Sequence, residues 1–129
     1  MIEKIKNCIA AFPGFAGFVF TAEALAPQPG SAALVCKGRE ILSRRQDILG
    51  AQTCRVRMHF VLMLHGAKDP LADDPALAQA LLEFSRWLPG NAPTLGANQT
   101  VSAEKGRLAA ASGAGIARYE TQVVFEFDE

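Results

Sequence analysis

The sequence predicts an α+β domain: a mainly antiparallel sheet of about four to five strands with two helices packed on one face. Three observations lead there. The periodicity changes along the chain in the order helix, strands, helix, strands, which segregates helical and extended segments. Tyr119, Thr121, Val123, Phe125 and Phe127 alternate with Glu120, Gln122, Glu126 and Asp128, with Val124 as the one exception. Side chains alternate across a strand, so this run suits a sheet with one buried and one wet face. Val56, Met58, Phe60, Leu62 and Leu64 likewise alternate with Arg55, Arg57, His59, Val61, Met63 and His65. The second of these faces begins basic and becomes apolar, so the strand passes from an exposed region into a covered one.

Element by element, Ile2, Ile5, Ile9 and Phe12 recur at helical spacing between charged and polar residues, and Pro13-Gly14 ends that amphipathic helix. Phe15, Phe18 and Phe20 suggest a short extended segment, followed by a stiff connection at Ala26-Pro27-Gln28-Pro29-Gly30. Ser31 to Cys36 reads as a strand, Lys37-Gly38-Arg39-Glu40 as a turn, and Ile41 to Ile48 as either strand or loop. After the strand through residues 55–65, Gly66 to Asp74 reads as a polar loop. Asp74 then caps a second helix with Pro75 at its first position, where the missing N–H costs nothing. Leu77, Leu81, Phe84 and Leu88 repeat at helical spacing beside Trp87, and Pro89-Gly90 stops the helix. Asn91 to Asn98 is loop, Gln99 to Ala111 a strand whose alanines also allow helix, and Ser112-Gly113-Ala114-Gly115 the turn into the terminal strand.

A chain of 129 residues suits one domain, residues 1–129, and buries a sufficient core without staples. Its 13 basic and 13 acidic residues cancel, whereas a dedicated nucleic-acid binder carries a basic excess. The distribution is uneven. Lys37, Arg39, Arg44, Arg45, Arg55 and Arg57 face only Glu40 and Asp47 in the middle of the chain, while Glu120, Glu126, Asp128 and Glu129 follow Tyr119 with no basic residue among them. These patches pair either within the fold or between subunits. Cys8, Cys36 and Cys54 are widely spaced and odd in number, which fits small core thiols in a reducing compartment. The N-terminus reads as a mixed helix rather than a signal peptide, and Phe60 to Leu64 is too short an apolar run to span a bilayer.

The residues offer little chemistry, so no catalytic, metal or cofactor-binding residue is assigned. His59 and His65 lie on one side of one strand roughly 20 Å apart, too far to share a metal. Asp69, Asp73 and Asp74 lack the ligand spacing of a calcium loop and suit capping and solvation. No cysteine sits in a setting that lowers a thiol's pKa, and neither glycine-rich phosphate motif occurs. Arg44-Arg45 reads as a solvated edge or as a contact for an acidic partner surface, and Trp87 as core or as an interface anchor.

Three segments carry a resemblance: Pro27 to Cys36; the helix from Asp74-Pro75-Ala76-Leu77 to Glu83-Phe84-Ser85-Arg86-Trp87-Leu88; and Ala110-Ala111-Ser112-Gly113 with Ala117-Arg118-Tyr119-Glu120-Thr121-Gln122-Val123. Together they resemble the small minor capsid or tail-completion proteins of long-tailed bacteriophages and prophages, which are similar to tail terminators. The likeness covers most of the chain from about residue 25. The stretch between Gly113 and Arg118 is shorter than that pattern, and Arg39 to Gln52 carries more arginine. The resemblance implies a tail-terminator-like fold and a non-enzymatic structural protein in virion assembly and head–tail joining. It implies a homo-oligomeric ring, a hexamer among its candidate stoichiometries, that caps the tail tube and meets the head connector. It also implies assembly in the bacterial host cytoplasm and residence in the virion, at the tail or head–tail junction, with neither membrane nor sequence-specific nucleic acid as partner. Arg39, Arg44, Arg45, Arg55, Arg57, Glu120, Glu126 and Asp128 are then the candidate interface residues. The competing reading is a small cytoplasmic α+β ligand-binding domain, dimeric, with a ligand held against its sheet; a thiol enzyme is a weaker third.

Overall fold

The computed structural model describes residues 2–21, 30–67, 75–104, 106–111 and 116–129. Helix α1 spans Ile2–Ala10, a single 3-10 turn Pro13–Phe15 follows, and short strand β1 is Val19–Thr21. Two long strands, β2 (Ser31–Gln46) and β3 (Gln52–Ala67), precede helix α2 (Pro75–Asn91), and β4 (Ala97–Ala103), β5 (Arg107–Ala111) and β6 (Ile116–Asp128) complete the sheet. The strand order is β1-β2-β3-β6-β4, with β5 also paired to β6. The class is therefore α+β with two helices, as the periodicities imply. The sheet is five strands wide, within the four to five expected, and holds six strands in all because Gln99 to Ala111 is not one strand. It breaks into β4 and β5, which pair in succession along the same edge of β6.

The sheet is also mixed, where a mainly antiparallel one is expected. β1 runs parallel to β2, with Val19 opposite Ser31 and Thr21 opposite Ala33, while the other pairings are antiparallel. Hydrogen bonds hold the parallel junction: the Val19 N–H donates to the Gly30 carbonyl at 2.8 Å, and the Gly30 N–H to the His65 carbonyl at 2.8 Å. Gly30 has φ +85°, a conformation that side chains disfavour.

One sheet face is the core face. Val56, Phe60, Leu62 and Leu64 of β3 and Ala117, Tyr119, Thr121, Val123, Phe125 and Phe127 of β6 are all buried, as their alternation requires. Both helices cover this face. Ile5 and Ile9 of α1 and Leu77, Leu81, Phe84 and Leu88 of α2 join the same cluster. Aromatic rings tie the helices together. Phe12 lies 4.9 Å from Phe15, 5.5 Å from Phe84 and 5.2 Å from Trp87 between ring centroids. Trp87 is thus a half-buried helix contact. Such edge-on and tilted pairs contribute about 0.5–1.5 kcal/mol each beyond their burial.

Two expected punctuation marks are corrected. Lys37-Gly38-Arg39-Glu40 does not turn the chain; β2 runs on to Gln46, and the irregularity is absorbed by bulges at Cys36/Gly38 and Ile41/Ser43. The turn lies at Asp47-Ile48-Leu49-Gly50, where the Gly50 N–H donates to the Asp47 carbonyl at 3.1 Å and Gly50 takes φ +89°. The Asp47 carboxylate accepts from the Leu49 and Ala51 N–H groups at 2.8 and 2.9 Å, a type I turn closed by a left-handed glycine. Pro89 does not stop α2, which continues to Asn91. Near this end Ser85 Oγ donates to the Leu82 carbonyl and Asn91 Nδ2 to the Trp87 carbonyl. The stiff connection at 26–29, most of the 66–74 loop with its Asp74 cap, and the 112–115 turn lie outside the described residues.

The β4–β5 junction is tightly built. Glu104 N–H donates to the Gln122 carbonyl at 3.0 Å, and Thr121 Oγ1 donates to the Glu104 carbonyl at 2.6 Å. Gly106 lies against α2, where an added Cβ meets Leu81 Cβ at 2.6 Å and Cδ1 at 2.2 Å. Rotating the Leu81 side chain cannot remove the first clash. Gly106→Ala is therefore expected to destabilise the chain by about 1–3 kcal/mol. Gly38→Ala, with nothing within 4 Å, is expected to be neutral or slightly stabilising. Urea unfolding midpoints of the two variants check the contrast; equal midpoints would refute the close packing at Gly106.

Candidate functional site

The second sheet face is open over much of its area, and the register places its side chains in rows. Glu40 of β2, Arg57 of β3, Glu126 of β6 and Thr100 of β4 form one row; Gly38, His59, Val124 and Ser102 form the next. Each row follows from residues standing opposite one another across neighbouring strands. Further along β3 the face becomes covered, as the sequence implies: Arg57 is exposed, His59 half-buried, and Val61 buried beside fully buried Ala33.

The charged rows are paired within the chain. Arg57 donates to Glu126 at 2.8 Å and to Glu40 at 2.9 Å. Arg55 reaches Asp128 at 3.3 Å and the Asn98 carbonyl at 2.6 Å, and Arg39 pairs with Glu129. Glu120 takes Arg118 at 3.4 Å. Six of the eight candidate interface residues (Arg39, Arg55, Arg57, Glu120, Glu126 and Asp128) thus have in-chain partners. These pairs all reach solvent, which screens them, so they fix side-chain positions more than they stabilise. Arg44 and Arg45 differ: both are exposed and make no ion pair among the described residues, although the charge of Arg45 still attracts Asp128 through space.

Between these rows lies a groove of about 490 Å³ lined by Arg57, His59, Ser102, Glu104, Gln122 and Val124, among others. Val124, the one break in the alternation of β6, is its apolar floor, flanked by His59 and Ser102. His59 Nε2 meets Gln122 Oε1, which orients the ring along the groove wall. Glu104 is exposed and makes no ion pair among the described residues. A smaller depression of about 310 Å³ lies on the other side of Arg57 and His59, over Gly38.

Beyond the last β3–β6 pair, Arg55 with Asp128, the β2–β3 hairpin continues as a two-stranded arm through Arg44–Cys54 and Gln46–Gln52. At its tip Ile48 is 99% and Leu49 91% exposed. Neither tip residue nor Ser102, Glu104 and Val124 stands among the candidates drawn from charge alone. The Asp-x-x-Gly turn signature around Ile48-Leu49 and the lapse in alternation at Val124 are the signals that mark them.

The thiols are dispersed. Cys8 is half-buried and donates to the Asn91 carbonyl at 3.1 Å, and its burial pushes the thiol pKa up, away from a nucleophile's requirement. Cys54 is half-buried, and Cys36, expected in the core, is exposed on β2. His65 lies near buried Ser31, 3.4 Å from its Oγ, and not near His59. Among the described residues no group of three or more His, Cys, Asp or Glu is placed to hold a metal ion, and no helix is long and apolar enough to cross a membrane. Compared with protein-family models the chain matches none, and compared with curated proteins it matches none.

Asp128 supplies a pH test of the charged rows. The Asn98 amide, with help from Arg55, holds its carboxyl below the usual carboxylate range, against the opposing effect of desolvation. Asn98 itself has φ 51°, which asparagine tolerates better than most residues. A carboxyl depressed in the folded state stabilises fully above its unfolded pKa, and that contribution is lost as pH falls through the folded value. Asp128→Asn is expected to be less stable than the native chain near neutrality, with the gap closing as pH falls through and below the usual carboxylate range. Urea midpoints against pH read this directly; a gap that stays constant would show that the carboxylate's charge is not what matters.

Proposed function

We propose that this chain is a structural assembly protein of a phage or prophage particle: a minor capsid protein with a tail-terminator-like fold that closes the end of a tail tube as a homo-oligomeric ring at the head–tail junction. The reading is non-enzymatic. It places assembly in the bacterial host cytoplasm and the finished protein in the virion, touching the tube and the head connector. The observation that carries it is the projecting arm. Two large aliphatic side chains stand almost wholly in water at the end of an ordered, hydrogen-bonded hairpin, with two exposed arginines on its stem that make no ion pair among the described residues. Apolar groups held out on a preorganised support favour surface-to-surface association, because little freedom remains to be lost on docking.

The alternative, a dimeric ligand-binding domain, calls for an apolar pocket against the sheet. The two depressions flanking Arg57 and His59 are lined mainly by charged and polar side chains, which suits macromolecular contact better.

Light scattering coupled to size exclusion, across protein concentration and salt, tests the reading. A closed oligomer of about six copies is expected, dissociating as salt rises. A stable dimer at every concentration would favour the ligand-binding alternative and count against the ring.

A further inference from the structure

We propose that the hairpin arm of one copy seats in the groove on the open sheet face of the next copy, with Ile48 and Leu49 on Val124 and one arginine of the stem reaching Glu104. The inference rests on the ring reading in taking a second copy as the occupant.

Four features match. The tip offers two apolar side chains that are 99% and 91% exposed, and the groove offers an apolar floor at Val124 within polar walls. The groove, at about 490 Å³, has room for both aliphatic side chains. The charges left over on each side are opposite. Arg44 and Arg45 on the arm lack ion pairs among the described residues, as does Glu104 at the groove, whereas Arg57 and Glu126 already neutralise each other. The tip is also fixed before docking by the Asp47 carboxylate and Gly50.

The arm cannot fill its own groove. The seven steps from Gln52 to His59 along β3 span about 23 Å of extended strand, and the arm points away from the groove along that line. Arm and groove are different surfaces of one chain, so their contact is head-to-tail. Repeated with a rotation that closes, such a contact builds a ring.

The test combines solution mass with a directed crosslink on the full chain. Ile48→Asp with Leu49→Asp removes the apolar tip, and Glu104→Arg reverses the groove charge; all three positions are exposed, and circular dichroism checks that each variant remains folded. The tip variant is expected to weaken association by about a hundredfold in protein concentration, and the groove variant by about tenfold. Leu49→Cys with Ser102→Cys is expected to form a disulfide between copies under mild oxidation. Each single substitution serves as the control for the three native thiols.

If the native chain forms rings and the tip variant forms them equally well, the arm–groove contact is overturned while the ring stands. If no ring forms but Cys-substituted 49 and 102 link copies beyond the single-substitution controls, the contact stands and the ring reading fails. If neither mass nor crosslink appears, both fail. Binding of the native chain to anionic lipid vesicles that the tip variant loses, with no change in mass between the two, would assign the tip to a membrane and overturn the proposal.

Discussion

The structure depends on β3 being hydrogen-bonded along both of its edges. β2 pairs with it from Gln52 to Leu64, and β6 from Arg55 to Ala67. A strand held on both sides cannot slip by one residue without sending Val56, Phe60, Leu62 and Leu64 into water and Arg57 and His59 under the helices. The burial of that apolar row against α1 and α2 therefore sets the register of three strands at once. The position of Arg57 between Glu40 and Glu126 is a consequence of this register rather than a cause of it. The ion pairs are too exposed to impose the alignment themselves.

Much of this was legible because the two periodicities are strong where both faces of an element differ. The core sides of α1, α2, β3 and β6 follow directly from spacing. Reading failed where local chemistry and tertiary context disagree. Lys37-Gly38-Arg39-Glu40 has the composition of a turn, yet it lies on a strand edge that no described strand covers. There, charge and bulges discourage pairing with other chains. Pro89 lies inside α2 because it falls in the last turn, where few backbone bonds remain to be lost. The parallel pairing of β1 had no local signature, since the direction of a three-residue strand is set by its neighbours in the sheet and not by its own residues.

The candidate site was legible only in part. Opposite charges in the middle and at the end of the sequence pointed correctly to Arg55, Arg57, Glu126 and Asp128 as neighbours, but charge alone cannot say whether neighbours belong to one chain. The register resolves them as in-chain partners and leaves Arg44 and Arg45 over. Val124 was visible as an irregularity without a meaning, because its significance lies in the residues of β3 and β4 that stand on either side of it. Ile48 and Leu49 were hidden for the opposite reason: two aliphatic residues in an uncertain strand pass for core unless the Asp47–Gly50 turn is recognised first.

The pairing of β3 with β6 also sets the order in which the chain can acquire its structure. The hairpin of β2 and β3 joins segments adjacent in sequence and closes through a five-residue connection, Asp47–Ala51, so its ends meet early. The second edge of β3 must wait for β6, whose residues follow some fifty positions later and also supply the only described partner of β4 and β5. On a ribosome, the apolar row of β3 therefore emerges and lies beside an open edge until β6 has been synthesised. Such a nascent chain exposes both a strand edge and a hydrophobic face, the combination most prone to premature association, and a helper that shields β3 during synthesis would act where the topology makes the chain most vulnerable.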